Sequence, residues 1–269
     1  MPMDKRVFER LRAIIYEKSG IALHEGKEAL VCARLRKRMR VLGIQDYREY
    51  LRRVSNDKGG EETTGLIDAI STNVTSFFRE PVHFEFLGGA MGEWLAAGQT
   101  RFRFWSAACS TGEEPYSLAM TLLEVANGQA IDMRILATDI STQAIDKAVR
   151  GSYDEQKIGP VPPQLKNRYF DRRADPKGAS YTVKGALARP VLFRRLNLSA
   201  VPFPMSGPMD AIFCRNVLIY FDQATRKRLL DEMHRLLKRG GFLMVGHAES
   251  LTGMISDFKP VRPSIYVKG

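Results

Sequence analysis

The sequence lacks most of the features that would classify it at once. It has only three cysteines, Cys32, Cys109 and Cys214, far apart and without CxxC spacing. This excludes a disulfide framework, argues against a zinc site and fits a reducing compartment. No apolar run reaches the roughly 20 residues of a membrane-spanning helix. The N-terminus is charged from Asp4, Lys5 and Arg6 onward and lacks the apolar stretch of a secretory signal. A cytoplasmic protein with no membrane insertion is expected. There is no GKS or GKT, so no P-loop, and no Ser-His-Asp or Cys-His arrangement that would mark nucleophilic catalysis.

What is present is an ordinary globular composition, 44% hydrophobic and 26% charged over 269 residues. That length accommodates one large and one small domain. The net charge of +11 favours an acidic partner without choosing among nucleic acid, an anionic membrane and an acidic protein surface.

Residues 1–72 read as helices only. Phe8, Leu11, Ile14 and Ile15 recur at helical spacing, with Ser19–Gly20 as a stop. Further helices are expected over 30–42, 47–54 and 62–70. From residue 82 the pattern alternates. A helix over 82–97 precedes a strand at 102–107, a small-residue turn at 109–112 and a helix over 113–127. A strand at 133–138 and a helix at 142–149 follow, then strands at 211–215 and 242–245. The helix between those last two, 223–238, is expected to be closed by Arg239, Gly240 and Gly241. Alternation of this kind implies a parallel sheet covered on both faces, with ligands bound outside the carboxyl ends of its strands. Between residues 153 and 196 the alternation breaks. Pro160, Pro162 and Pro163 and β-prone pieces at 181–184 and 191–194 predict a small inserted antiparallel β subdomain.

The turn after the first strand carries one glycine rather than GxGxxG, so it is poorly shaped for a pyrophosphate. Glu113 and Glu114 at the helix start would repel phosphates, yet suit an ammonium group. Asp139, closing the next strand, is placed to accept ribose hydroxyls. On spacing alone this is either an ordinary βα turn with acidic caps or a nucleotide site. If the latter, a ligand with ribose and amine but no phosphate favours S-adenosylmethionine over NAD or ATP.

Several strings are more specific. Residues 71–80 (STNVTSFFRE), 105–116 (WSAACSTGEEPY), 137–140 (ATDI), 213–221 (FCRNVLIYF) and 246–250 (GHAES) closely resemble the chemotaxis receptor methyltransferases of the CheR type. The resemblance implies a Rossmann-like class I methyltransferase sheet in residues 82–269, preceded by an all-α receptor-docking domain (1–72) and a cofactor-contacting linker (73–81). It implies transfer of methyl from S-adenosylmethionine to receptor glutamates, and a monomer. Asn73, Thr75, Arg79, Glu114, Asp139, Asn197, Leu198, Arg215 and Asn216 match the family's cofactor-lining positions. Arg79 and Tyr220 match the pair beside the reactive methyl. His247 reads as a hydrogen-bonded wall residue rather than a general base, and no metal ligand set is expected.

Residues 34–53 hold eight Lys or Arg against two acids. Arg34, Lys37 and Arg38 share one helical face. With Arg40 they are either a solvated surface or, as the resemblance implies, a docking surface for the acidic helical bundle of a receptor. An RNA substrate is disfavoured because the basic run is not interleaved with aromatics and no RNA-binding module is present. The stretch 172–179 carries charged or bulky residues where tethering relatives carry glycines, which argues against capture of a receptor's C-terminal pentapeptide. From sequence, then, charge reversal at Arg34 and Arg38 is expected to raise the KM for receptor while sparing cofactor affinity.

Overall fold

The computed structural model describes residues 3–23, 26–175, 178–251 and 257–269. Four helices come first: α1 (Lys5–Ser19), α2 (Glu28–Val41), α3 (Tyr47–Ser55) and α4 (Glu61–Ile70). The Asp4 and Asp46 carboxylates cap α1 and α3 by accepting from Arg6 N and Arg48 N. Gly20, in the left-handed region, ends α1. Leu11, Ile15, Leu35, Tyr50 and Leu66 form the centre of this domain's core.

The remainder is an α/β unit. In chain order it comprises α5 (Val82–Ala96), β1 (Arg101–Ala107), α6 (Glu113–Ala126), β2 (Asp132–Asp139) and α7 (Thr142–Arg150). Then come β3 (Ser152–Asp154), α8 (Glu155–Ile158), α9 (Pro163–Tyr169), β4 (Phe170–Asp175), β5 (Gly178–Val183) and α10 (Gly185–Ala188). The chain closes with β6 (Val191–Arg195), β7 (Met209–Cys214), α11 (Gln223–Leu236), β8 (Leu237–Val245), β9 (Phe258–Arg262) and β10 (Ile265–Lys268). The main sheet has the order β6-β2-β1-β7-β8-β10-β9. Its strands from β6 to β8 pair in parallel, while β10 is antiparallel to both of its neighbours.

Alternation along the strands assigns the two faces. Phe102 and Phe104 of β1 and Ala211 and Phe213 of β7 pack with Leu87 of α5 and Leu118 and Leu122 of α6. Trp105, Ala107, Ile212 and Cys214 point the other way, against Leu229, Leu230 and Met233 of α11. Strand order reverses between β1 and β7, so a crevice opens at their carboxyl ends. The helical domain is bonded across this edge. Ala22 N donates to Tyr220 O at 2.8 Å, Asn197 Nδ2 to Lys18 O at 3.0 Å and Thr142 Oγ1 to Asp68 Oδ2 at 2.6 Å.

Two expectations from sequence are corrected. Residues 191–194 do not join the inserted subdomain; β6 is an edge strand of the main sheet, in parallel register with β2. The insert is the three-stranded antiparallel sheet β3-β5-β4. The helix after β7 is not closed by Gly240 and Gly241, because Leu237 is already extended and starts β8, and those glycines lie within that strand. The strands β9 and β10 escape the sequence reading altogether. Pro176 and Lys177 lie outside the described residues, and so does that part of the 172–179 comparison.

Gly112 shows what the turn after β1 requires. Its φ is +98°, and a Cβ there would stand 2.8 Å from the Tyr153 hydroxyl and 2.9 Å from Ala148 Cβ. Both strain and overpacking oppose a side chain. Gly112→Ala is therefore expected to destabilise the fold by about 2–3 kcal/mol, measured as a lower Cm in urea.

Candidate active site

A cavity of about 540 Å³ opens where β1, β2 and β7 end, within the size range of ligand pockets. Asn73, Thr75 and Arg79 of the linker line it, with Glu114, Asp139, Asn197, Leu198, Arg215, Asn216 and Tyr220. The fold thus brings every sequence-matched cofactor position and Tyr220 to one cavity. Ile21–Leu23, Lys27, Leu30 and Arg34 from the helical domain line it too. No motif marks that contribution, because it depends on how two domains pack.

Asp139 is buried at the end of β2, where Oδ2 accepts from Ser110 N at 2.8 Å and Oδ1 from Ser141 N at 2.9 Å. These amides orient the carboxylate and bind the turn after β1 to β2. Burial pushes its pKa up, against the pull of the amides of Ser141 and Ser110. Each carboxylate oxygen keeps a second lone pair for a ribose hydroxyl.

Glu114 accepts from Ser106 Oγ at 2.7 Å and from Arg215 Nη1 at 2.9 Å. Burial raises its pKa; the Arg215 charge opposes the rise. Arg215 Nη2 reaches Glu80 Oε2 at 3.1 Å and also donates to the carbonyl of Arg79. Burial acts to raise the Glu80 pKa, but Arg215 and Asn216 prevail and it lies below the usual value. Arg79 is therefore not paired with its neighbour Glu80. Its Nη1 donates to Val74 O at 3.1 Å, and its side chain lines the cavity. Glu113, fully buried, faces away and is bound by Lys157 Nζ at 3.0 Å and Thr111 Oγ1 at 2.6 Å. Lys157 also donates to Thr75 O at 3.2 Å, tying the insert to the linker.

Backbone strain gathers at the same place. Phe78, Glu80, Ala108, Ser110 and Asn216 have φ between 51° and 67°, a region that costs non-glycine residues about 1–3 kcal/mol each. Two buried polar atoms at the cavity have no hydrogen-bond partner among the described residues, Ser110 Oγ and Arg215 Nε. Such atoms are rare unless a ligand or water completes them. The site therefore fits a polar ligand. Two glutamates, Glu113 buried and Glu114 partly so, occupy the first turn of α6, so the helix start that usually receives a phosphate is already filled with negative charge.

A carboxylate at the end of β2 and a helix start closed to phosphate fit the α/β methyltransferases that use S-adenosylmethionine. More narrowly, the chain belongs to the CheR methyltransferase family. Residues 6–71 match the family's all-alpha domain and residues 73–267 its SAM binding domain. Among curated relatives, the chemotaxis protein methyltransferase of Klebsiella aerogenes is 40% identical over 96% of this chain and 88% of its own. That of Borreliella burgdorferi is 38% identical over 99% and 95%, and that of Escherichia coli 38% over 96% and 89%. The protein is an S-adenosylmethionine-dependent methyltransferase, and that compound is its methyl donor.

Two half-buried arginines of the basic helix are engaged within the fold. Arg34 reaches the linker. It donates to Ser71 O at 3.2 Å, to Ile70 O and to Thr72 Oγ1 at 2.9 Å, and so holds the start of the linker. Arg38 lies across Gly65, where a Cβ would come within 2.5 Å of its guanidinium. It binds Glu62 through Nε at 3.1 Å and Nη2 at 2.7 Å, and Tyr50 OH donates to the same carboxylate at 2.8 Å. Lys37 and Arg40, with Arg36, are exposed. Arg38→Ala strips a buried carboxylate of its main partner and is expected to cost about 2 kcal/mol of stability, seen as a lower Tm. Arg34→Ala is expected to weaken S-adenosylmethionine binding by calorimetry, an effect the sequence reading did not anticipate.

Proposed function

We propose that this protein transfers the methyl group of S-adenosylmethionine to glutamate side chains of chemotaxis receptors in the cytoplasm. The products are glutamate methyl esters and S-adenosylhomocysteine. The observation that carries this reading is a methyl-donor cavity in a chain whose curated relatives of matching length are chemotaxis protein methyltransferases.

The chemistry asks little of the protein. The sulfonium of the donor is an activated leaving group, and a glutamate with a reference pKa of about 4.3 is already an anionic nucleophile at neutral pH. No general base is required. The protein's work is to align carboxylate oxygen, methyl and sulfur and to exclude water. In this proposal Arg79 orients the incoming carboxylate with the donors not engaged by Val74 O. Tyr220, half-buried at the cavity wall, shapes the reacting centre. Asp139 holds the ribose, while Asn73, Thr75, Asn197, Leu198, Arg215 and Asn216 line the remainder.

The partner is an acidic helical bundle that presents the glutamate at the mouth of the cavity. Lys37, Arg40 and Arg36 on the exposed side of α2 supply complementary charge, worth most as steering and orientation. Recognition of the methylated region itself, by a monomer and without a tethering peptide, completes the proposal.

Incubation with methyl-labelled S-adenosylmethionine and a receptor cytoplasmic fragment is expected to give base-labile label on the receptor. Arg79→Ala and Tyr220→Phe are expected to lower kcat while cofactor affinity falls less. Label on RNA, or full turnover in both variants, would overturn the assignment.

A further inference from the structure

Behind the wall of the cavity, three potential metal ligands converge. Glu80, His83 and His247 each offer a donor atom, and these atoms lie within 4.8 Å of one another. Glu80 and His83 flank the start of α5, where His83 N donates to Glu80 O at 3.2 Å. His247 follows β8, beside Gly246 and Glu249. The rings of His83 and His247 meet edge-on with centroids 5.2 Å apart.

The hydrogen bonding of His83 is what makes the cluster informative. The ring is fully buried, and Nε2 lies 2.7 Å from Ser264 Oγ. A serine hydroxyl has one proton, and that of Ser264 is directed to the carbonyl of Pro263 at 2.6 Å. In that arrangement Ser264 Oγ accepts from Nε2, and Nδ1 presents a lone pair. Nδ1 faces Glu80 Oε2 at 3.5 Å and has no hydrogen-bond partner among the described residues. A buried, unpartnered ring nitrogen facing a carboxylate oxygen across this gap suits a shared cation. The surroundings accommodate one. Glu80 and Glu114 share the Arg215 guanidinium, and Glu249 is held by the amides of Asn216, Ile219 and Gly246.

We propose that Glu80, His83 and His247 form a binding site for one divalent transition-metal ion. Two imidazoles and one carboxylate suit zinc, cobalt or nickel better than calcium or magnesium. The bond from His83 Nε2–H to Ser264 is the outer-sphere contact that fixes such a ligand's tautomer. Ligands around a tetrahedral ion stand about 3.3 Å apart, so the donors must close in by roughly an ångström. The exposed His247 ring achieves this by turning inward. The ion then fastens the turn after β8 to the start of α5, behind the corner where Arg215 and Asn216 reach the cavity.

The test uses the full chain, stripped with chelator and titrated with cobalt(II). One ion per chain by elemental analysis is expected, with the visible absorption of a nitrogen-ligated ion and a raised Tm. His247→Ala removes only an exposed ring, so the metal-free protein should melt as the wild type does. It should nevertheless bind cobalt at least about tenfold more weakly. Ser264→Ala, which releases the tautomer of His83, should also weaken binding. The proposal fails if the wild-type chain takes up no ion at millimolar cobalt, or if His247→Ala binds as tightly as the wild type.

Discussion

Arg215 emerges from β7 with its side chain almost wholly buried, and its guanidinium is shared by Glu114 of α6, Glu80 ahead of α5 and the carbonyl of Arg79. An ion in this position costs several kcal/mol unless its partners are all in place. Three segments distant in the chain must therefore arrive together: the end of β7, the first turn of α6 and the linker that follows the helical domain. The left-handed conformations at Phe78, Glu80 and Asn216 are the backbone's concession to that convergence. The methyl-donor cavity is the space these segments enclose.

The same charge arrangement explains the chemistry available. Acids at the start of α6 close that helix end to phosphate, and Asp139 is held ready by the amides of Ser110 and Ser141. What remains is a recess closed to phosphate beside a half-buried tyrosine and an arginine. Such a recess serves a reaction whose leaving group and nucleophile are both already activated, because it needs alignment more than proton transfer.

Much of this was legible from sequence, for identifiable reasons. The strands β1, β2 and β7 are apolar runs separated by helical periodicity, and Asp139 is conspicuous as an acid at a strand end. The edge strand β6 was misplaced because a stretch as short as 191–194 carries no sign of which sheet it will join. Gly240 and Gly241 looked like a helix stop, yet the chain had already turned extended at Leu237. The basic run on α2 is instructive in another way. Whether an arginine is a surface charge or an internal strut depends on residues far along the chain. Glu62 and Gly65 capture Arg38, and the carbonyls of Ile70 and Ser71 capture Arg34. A local string cannot show that.

The cavity wall runs from Ser19 and Leu30 in the helical domain to Tyr220 and Phe221 beyond β7. Its seam thus crosses the point at which the sequence divides into two domains. Folding units and working units do not coincide in this molecule. A helical domain borrowed from a relative would bring with it a new lining for the methyl donor. Substitutions along α2 are therefore coupled, through Leu30 and Arg34, to how firmly the enzyme holds what it delivers.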